Sequence, residues 1–157
     1  MAETKVAAPK QLGHIALRVR DIEKAVEFYS EVLGLDVKSP GGRGPAFLGN
    51  REDASHELAL MRLPADAPDP DPTRVGMYHM AWEMESFEAL EGLHNRLIAK
   101  GAKIAGYSAS QNSANVMFFD PEGNELEALF EPSREEAARI REKLGTFPQL
   151  KRAPGFD

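Results

Sequence analysis

The chain has 157 residues, a formal net charge of −6 from 19 Lys and Arg against 25 Asp and Glu, and no cysteine. With 42% hydrophobic and 28% charged residues it reads as one globular domain with a real core. The acidic balance argues against nucleic acid or an anionic membrane as partner, and the lack of cysteine excludes disulfides, thiolate metal sites and cysteine nucleophiles. Residues 1–11, MAETKVAAPKQ, read as a flexible polar arm without the apolar stretch of a secretory signal, so a cytoplasmic protein is expected. No apolar run approaches the ~20 residues of a membrane span.

LGHIALRV alternates, with Leu12, His14, Ala16 and Arg18 on one face and Ile15, Leu17 and Val19 on the other, which predicts a strand. Asp21 is placed to cap a helix whose apolar residues, Ile22, Ala25, Val26, Tyr29, Val32 and Leu33, recur at helical spacing. Gly34 ends it. LDVKS is extended, PGGRGP (40–45) is a loop, and short strands follow near 46–49 and 56–62. PADAPDPDP (64–72) holds too many prolines for helix or inner strand and reads as a stiff acidic connector. GMYHMAWEM (76–84) alternates again. Ser86 then caps a helix striped by Phe87, Leu90, Leu93, Leu97 and Ile98, with Gly101 at its end. Extended stretches near 103–108, 114–119 and 124–130 precede a last helix. It opens on Ser133-Arg134-Glu135-Glu136, buries Ala137, Ile140 and Leu144, and stops at Gly145. FPQLKRAPGFD is an irregular tail.

The chain repeats itself. His14 and His79 lie 65 residues apart, each has alanine two residues on (Ala16, Ala81), and each leads into a capped helix ended by glycine. Both copies read strand–helix–strand–strand–strand, an α+β arrangement of two βαβββ modules. They span 12–62 and 76–131, joined by 63–75 and followed by a C-terminal helix and tail, 132–157. A unit this short cannot cover its own sheet, so the copies should pack on each other.

His14 and His79 hold equivalent places, so a pseudo-two-fold axis can bring both imidazoles to one metal ion. A carboxylate could come from DPEGNELEALFE. There, Asp120 to Asn124 is turn chemistry and Glu125, Glu127 and Leu129 share one strand face. That face either binds a cation, which relieves the cost of burying a carboxylate, or is the wet side of a sheet. Two histidines and one carboxylate form the facial triad of non-haem Fe(II) oxygenases. Aligning HELALM (56–61) with NELEAL (124–129) sets Ala59 against Glu127 and Glu57 against Glu125, which favours an open three-ligand site. A shift of one or two residues would instead make Glu57 a fourth ligand. His56 falls at the rim of the same cavity, as an acid or base or as an exposed edge histidine. His94 lies on the polar side of the second helix and reads as solvated.

GHIALRVRDIEKAVEFYSEVLGLDV, YHMAWEM and DPEGNELEALFE resemble the vicinal oxygen chelate superfamily, which includes glyoxalase I, bleomycin- and fosfomycin-resistance proteins and extradiol dioxygenases. The resemblance covers about residues 12–130. It implies that the two modules form one curved mixed sheet around a metal cleft, with His14, His79 and Glu127 as ligands. Ala59 stands where glyoxalase I carries a further ligand, so the pattern is closer to the extradiol dioxygenases, whose H-x-x-A-L segment matches His56 to Leu60. The resemblance gives His56 the acid–base role. Met117 stands where those enzymes commonly have a tyrosine, and Ser108 near where they carry a second active-site histidine.

The expectation is therefore a dioxygenase that cleaves a catechol-like substrate with Fe(II), or alternatively Mn(II), Zn(II) or Ni(II). One alternative is a lyase, isomerase or transferase of the glyoxalase or fosfomycin-resistance type. Another is a metal-free, bleomycin-resistance-like binding protein, with Trp82, Phe118 and Tyr107 as stacking surfaces unless they are core. The C-terminal helix either covers the cleft or makes a dimer contact, and a homodimer with a small-molecule substrate is expected.

Overall fold

Alternation becomes strand β1 (Ile15–Val19), with Leu17 and Val19 buried and Ala16 and Arg18 exposed. A computed structural model describes residues 7–109 and 113–147, so residues 1–6 of the expected arm and 148–157 of the expected tail lie outside the described residues. The Asp21 carboxylate accepts the Lys24 N–H at 2.9 Å and starts α1 (Ile22–Glu31). Gly34, at φ +77°, turns the chain out of the helix through a conformation that side chains resist. Strands β2 (Val37–Ser39), β3 (Ala46–Leu48) and β4 (Leu58–Arg62) complete a sheet of order β1-β4-β3-β2. Because α1 carries the chain across, β1 pairs with β4 in parallel, and the other pairs are antiparallel. Ile22, Ala25 and Tyr29 are fully buried as α1 packs on β3 and β4.

The second half repeats the plan. β5 (His79–Glu83), α2 (Phe87–Ala99), β6 (Ile104–Ala109), β7 (Ala114–Phe119) and β8 (Glu125–Phe130) give the order β5-β8-β7-β6, again with the first and last strands parallel. Phe87, Leu90, Leu93 and Leu97 form the buried face of α2 against β7 and β8. The last helix, α3 (Arg134–Thr146), starts on the Ser133 hydroxyl as the capping pattern predicts. It runs past Gly145, where it was expected to stop. The buried Phe147 ring seats against Phe87, with centroids 5.6 Å apart, and draws the end of the helix onto α2. Among the described residues no helix is long and apolar enough to cross a membrane.

Two βαβββ modules and a C-terminal helix are thus present, but the expected single curved mixed sheet around a metal cleft is not. The strands divide into two four-stranded sheets, and β1 and β5 each end a sheet without pairing to the other. The modules meet instead through α1 and the turn after β7. Tyr29 donates its hydroxyl to Asp120 at 2.8 Å, Arg20 donates to Glu122 at 2.7 Å, and Arg96 of α2 donates to the Val32 carbonyl at 2.7 Å. The polar groups of helix and turn saturate one another, so the junction needs no hydrogen bonds from the sheet edges.

Candidate functional site

Each sheet has one face covered by its helix and one face open. On the first sheet, alternation places Ala16 and Arg18 of β1, Phe47 of β3, and Ala59 and Met61 of β4 on the open side. Register confirms the row, with Ala16 opposite Ala59, Ala59 opposite Phe47, and Arg18 opposite Met61. His14 precedes β1 and His56 precedes β4, so the two imidazoles meet, with ring centroids 4.6 Å apart. Phe47 lies 4.6 Å from His56 on the other side. The result is a run of three rings above a floor of alanines. Nδ1 of His56 is hydrogen-bonded to the Ser55 hydroxyl at 2.9 Å, which leaves the other ring nitrogen without a partner among the described residues.

The open face of the second sheet is polar. His79 and Glu125 are register partners, as are Ala81 and Glu127, and Met117 lies across from Glu127 on β7. Nε2 of His79 lies 3.1 Å from one oxygen of Glu127, and the Asn115 amide donates to the other. Each oxygen of Glu127 thus has one partner within its own sheet. Nδ1 of His79 and Oδ1 of Asn115 are buried without a partner among the described residues. Burial lifts the Glu125 carboxyl above the ordinary glutamate range; the nearby His79 works against this and the Glu127 charge adds to it.

This geometry corrects the expected metal centre. His79 and Glu127 come together, but His14 stands with His56 on the other sheet. Among the described residues no group of three or more His, Cys, Asp or Glu side chains is placed to hold a metal ion. The expected Fe(II), and the alternatives Mn(II), Zn(II) and Ni(II), therefore have no cage among the described residues, and a metal-dependent ring-cleaving dioxygenase does not follow from them. The strands divide into two sheets: His79 and Glu127 are brought together on the second, while His14 meets His56 beside the first. Glu57 does not fill the gap. One of its oxygens accepts the N–H groups of Asn50 and Arg51, at 2.8 and 3.0 Å, and so closes the turn between β3 and β4.

Other expectations resolve as follows. Met117 lies on the open face beside Glu127, and Ser108 is exposed near the end of β6. Phe118 is fully buried core, and Trp82 and Tyr107 pack against that core. His94, expected to be solvated, is half-buried and hydrogen-bonded to the Tyr107 hydroxyl at 2.9 Å, with Phe147 packed on both rings. Phe47, Ser55 and Asn115 were not singled out from the sequence. The burial alternation of Ala46-Phe47-Leu48 carries the signal for Phe47, and strand alternation carries it for Asn115, two residues before Met117 and on the same side.

Residues 11–128 match the sequence model of the Glyoxalase/Bleomycin resistance protein/Dioxygenase superfamily. The chain is 26% identical over 139 residues to a catechol-2,3-dioxygenase of Bacillus subtilis, a match covering 88% of this chain and 48% of that protein. The chain thus spans about half the length of that relative. It is 29% identical over 137 residues to the glutathione transferase FosA of Serratia marcescens, covering 85% of this chain and 90% of that one. In fold it is similar to a glyoxylase/bleomycin resistance protein/dioxygenase domain from Frankia sp. EAN1pec, with a TM-score of 0.70 and 23% identity, covering 84% of this chain and 99% of the other. Similar identities to a dioxygenase and to a transferase do not single out one subfamily.

Proposed function

We propose that this chain, which belongs to the Glyoxalase/Bleomycin resistance protein/Dioxygenase superfamily, binds a small molecule on the open faces of its sheets without a metal ion. The observation that carries this reading is the separation of the expected ligands: Glu127 is engaged by His79 and Asn115, while His14 is in tilted ring contact with His56. In place of a metal cage the first sheet offers a row of three rings, each tilted about 45° to the next. His14, His56 and Phe47 supply ring surface, Ala16 and Ala59 a floor, and the free nitrogen of His56 one hydrogen bond. The His79–Glu127 pair offers a second, polar contact.

The test is binding to protein dialysed against EDTA. Quinoline, a small planar probe, is titrated into isotope-labelled protein and followed by NMR. The expected result is shifts at Ala16, Phe47, His56 and Ala59 that chelator does not abolish, with Phe47→Ala weakening binding about three- to tenfold. Binding that appears only when a divalent metal is added back would overturn the reading. A second reading, a metal-free lyase on the same scaffold, is favoured by the Ser55 contact, which fixes the His56 ring with one nitrogen toward the platform. In that case His56 would move a proton on the ligand, and the ligand recovered after incubation would be converted.

The active form is proposed to be a homodimer. The support is an apolar patch leading into the free edge strand β5: Val75 is fully exposed, and Met77 and Tyr78 are 54% and 66% exposed. Sedimentation velocity should show a dimer that Tyr78→Asp dissociates; an unchanged sedimentation coefficient in that variant would place the contact elsewhere.

A further inference from the structure

Beyond the ring platform, the open face of the first sheet runs on into a cleft of about 680 Å³. Ala16 and Met61 continue its floor, and Leu63, Pro68 and Pro70 wall it where the connector crosses. The prolines stiffen that wall, so the cleft keeps its shape without a ligand. The lining is mixed, with two arginines, Asn124 and two carboxylates beside the apolar residues, and the pairing of the charges is unequal. Arg20 takes both acids, Asp69 and Glu122, each at 2.7 Å. Arg18, exposed on the same face as Ala16, has no ion pair or hydrogen bond among the described residues.

We infer that this cleft binds a small monocarboxylate with an apolar body, its carboxylate gripped by Arg18 and its body laid along Ala16, Met61 and the prolines. A guanidinium fork matches a carboxylate with two parallel hydrogen bonds, which makes the anion planar and oxygen-rich rather than a halide. The number of charges follows from the neighbours. Asp69 and Glu122 share Arg20, so the four charged side chains of the lining sum to zero; Arg18 is the one guanidinium there with no carboxylate on it among the described residues, and a second anionic group would meet carboxylates. The inference rests on the reading of the open face as a small-molecule site, and it names the class of molecule.

The experiment compares octanoate with octanamide, and benzoate with phthalate, by calorimetry on the full chain. Octanoate is expected to bind about 10- to 100-fold more tightly than octanamide, and phthalate no more tightly than benzoate. Arg18→Gln, a change at an exposed side chain, is expected to weaken octanoate about 10- to 100-fold, to the level of octanamide in the same variant, while the melting temperature stays as in the wild type. Equal binding of acid and amide, or an Arg18→Gln protein that still prefers the acid, overturns the carboxylate assignment and leaves the binding site standing. Failure of both octanoate and octanamide to bind the wild type overturns the assignment and counts against the site itself, an outcome the quinoline titration checks separately.

Discussion

Asp120→Ala lowers the free energy of unfolding by about 3–5 kcal/mol, more than any other single polar substitution proposed for this chain. Asp120 is the one buried charged residue among the described residues, 5% exposed. One oxygen accepts the N–H groups of Glu122 and Asn124, both at 2.9 Å, and closes the turn after β7. The other accepts from the Asn124 amide at 2.9 Å and from the Tyr29 hydroxyl at 2.8 Å. Truncation leaves four donors unmet, and one of them, the Tyr29 hydroxyl, belongs to a fully buried side chain. Burial, with the Asp120 charge adding to it, holds the Tyr29 phenol well above its ordinary range, so it stays protonated as the donor. Tyr29→Phe is the control. It removes one donor and leaves Asp120 three, so it should cost about 1–2 kcal/mol. Urea unfolding followed by circular dichroism measures both, and equal losses would mean that the turn, not the bridge between modules, carries little of the energy.

Glu122→Gln gives the second large effect, one that depends on pH. The Glu122 side chain is 10% exposed and accepts from the Arg20 guanidinium at 2.7 Å and from the Asp21 N–H at 3.2 Å. Burial works to raise its carboxyl, but the hydrogen bonds from Arg20 and from the backbone of Asp21 and Arg20 outweigh it, so the group sits below the ordinary range. A carboxylate depressed on folding adds stability above its unfolded value, near about pH 4.3, and loses it as the pH falls through the lower folded value. The variant should therefore melt about 2–4 °C below wild type at pH 7 and converge with it below about pH 4. A gap of the same size at every pH would show that shape rather than charge makes the contact.

Much of the fold was legible because its signals are local. The His14–His79 repeat, the caps at Asp21, Ser86 and Ser133, and the turns at Gly34 and Gly101 rest on neighbouring residues, and the strands and helices form around them. What a single sequence did not carry was how the modules join. Asp120 and Glu122 read as turn chemistry, which they are, but their second task, holding α1, depends on Tyr29 and Arg20, some 90 to 100 residues away. That junction decides whether His14 can reach His79 and Glu127, so the candidate residues were found one by one while their assembly was not. Asn115 and His94 were hidden over shorter spans, 12 residues to Glu127 and 13 to Tyr107, because their roles come from partners on neighbouring strands and on the final helix.

His94 also shows how duplicated halves part ways. It lies 65 residues after Tyr29, the same interval that separates His14 from His79, so the two residues hold matching places on matching helices. Tyr29 turns that place toward the sister half, through Asp120. His94 turns it toward Tyr107 and Phe147, where the final helix comes to rest. Each copy of a doubled scaffold inherits the same vulnerable spot. Here one copy shields it with its twin and the other with an added segment of chain, so the C-terminal helix is the second half's substitute for a symmetry the molecule has given up.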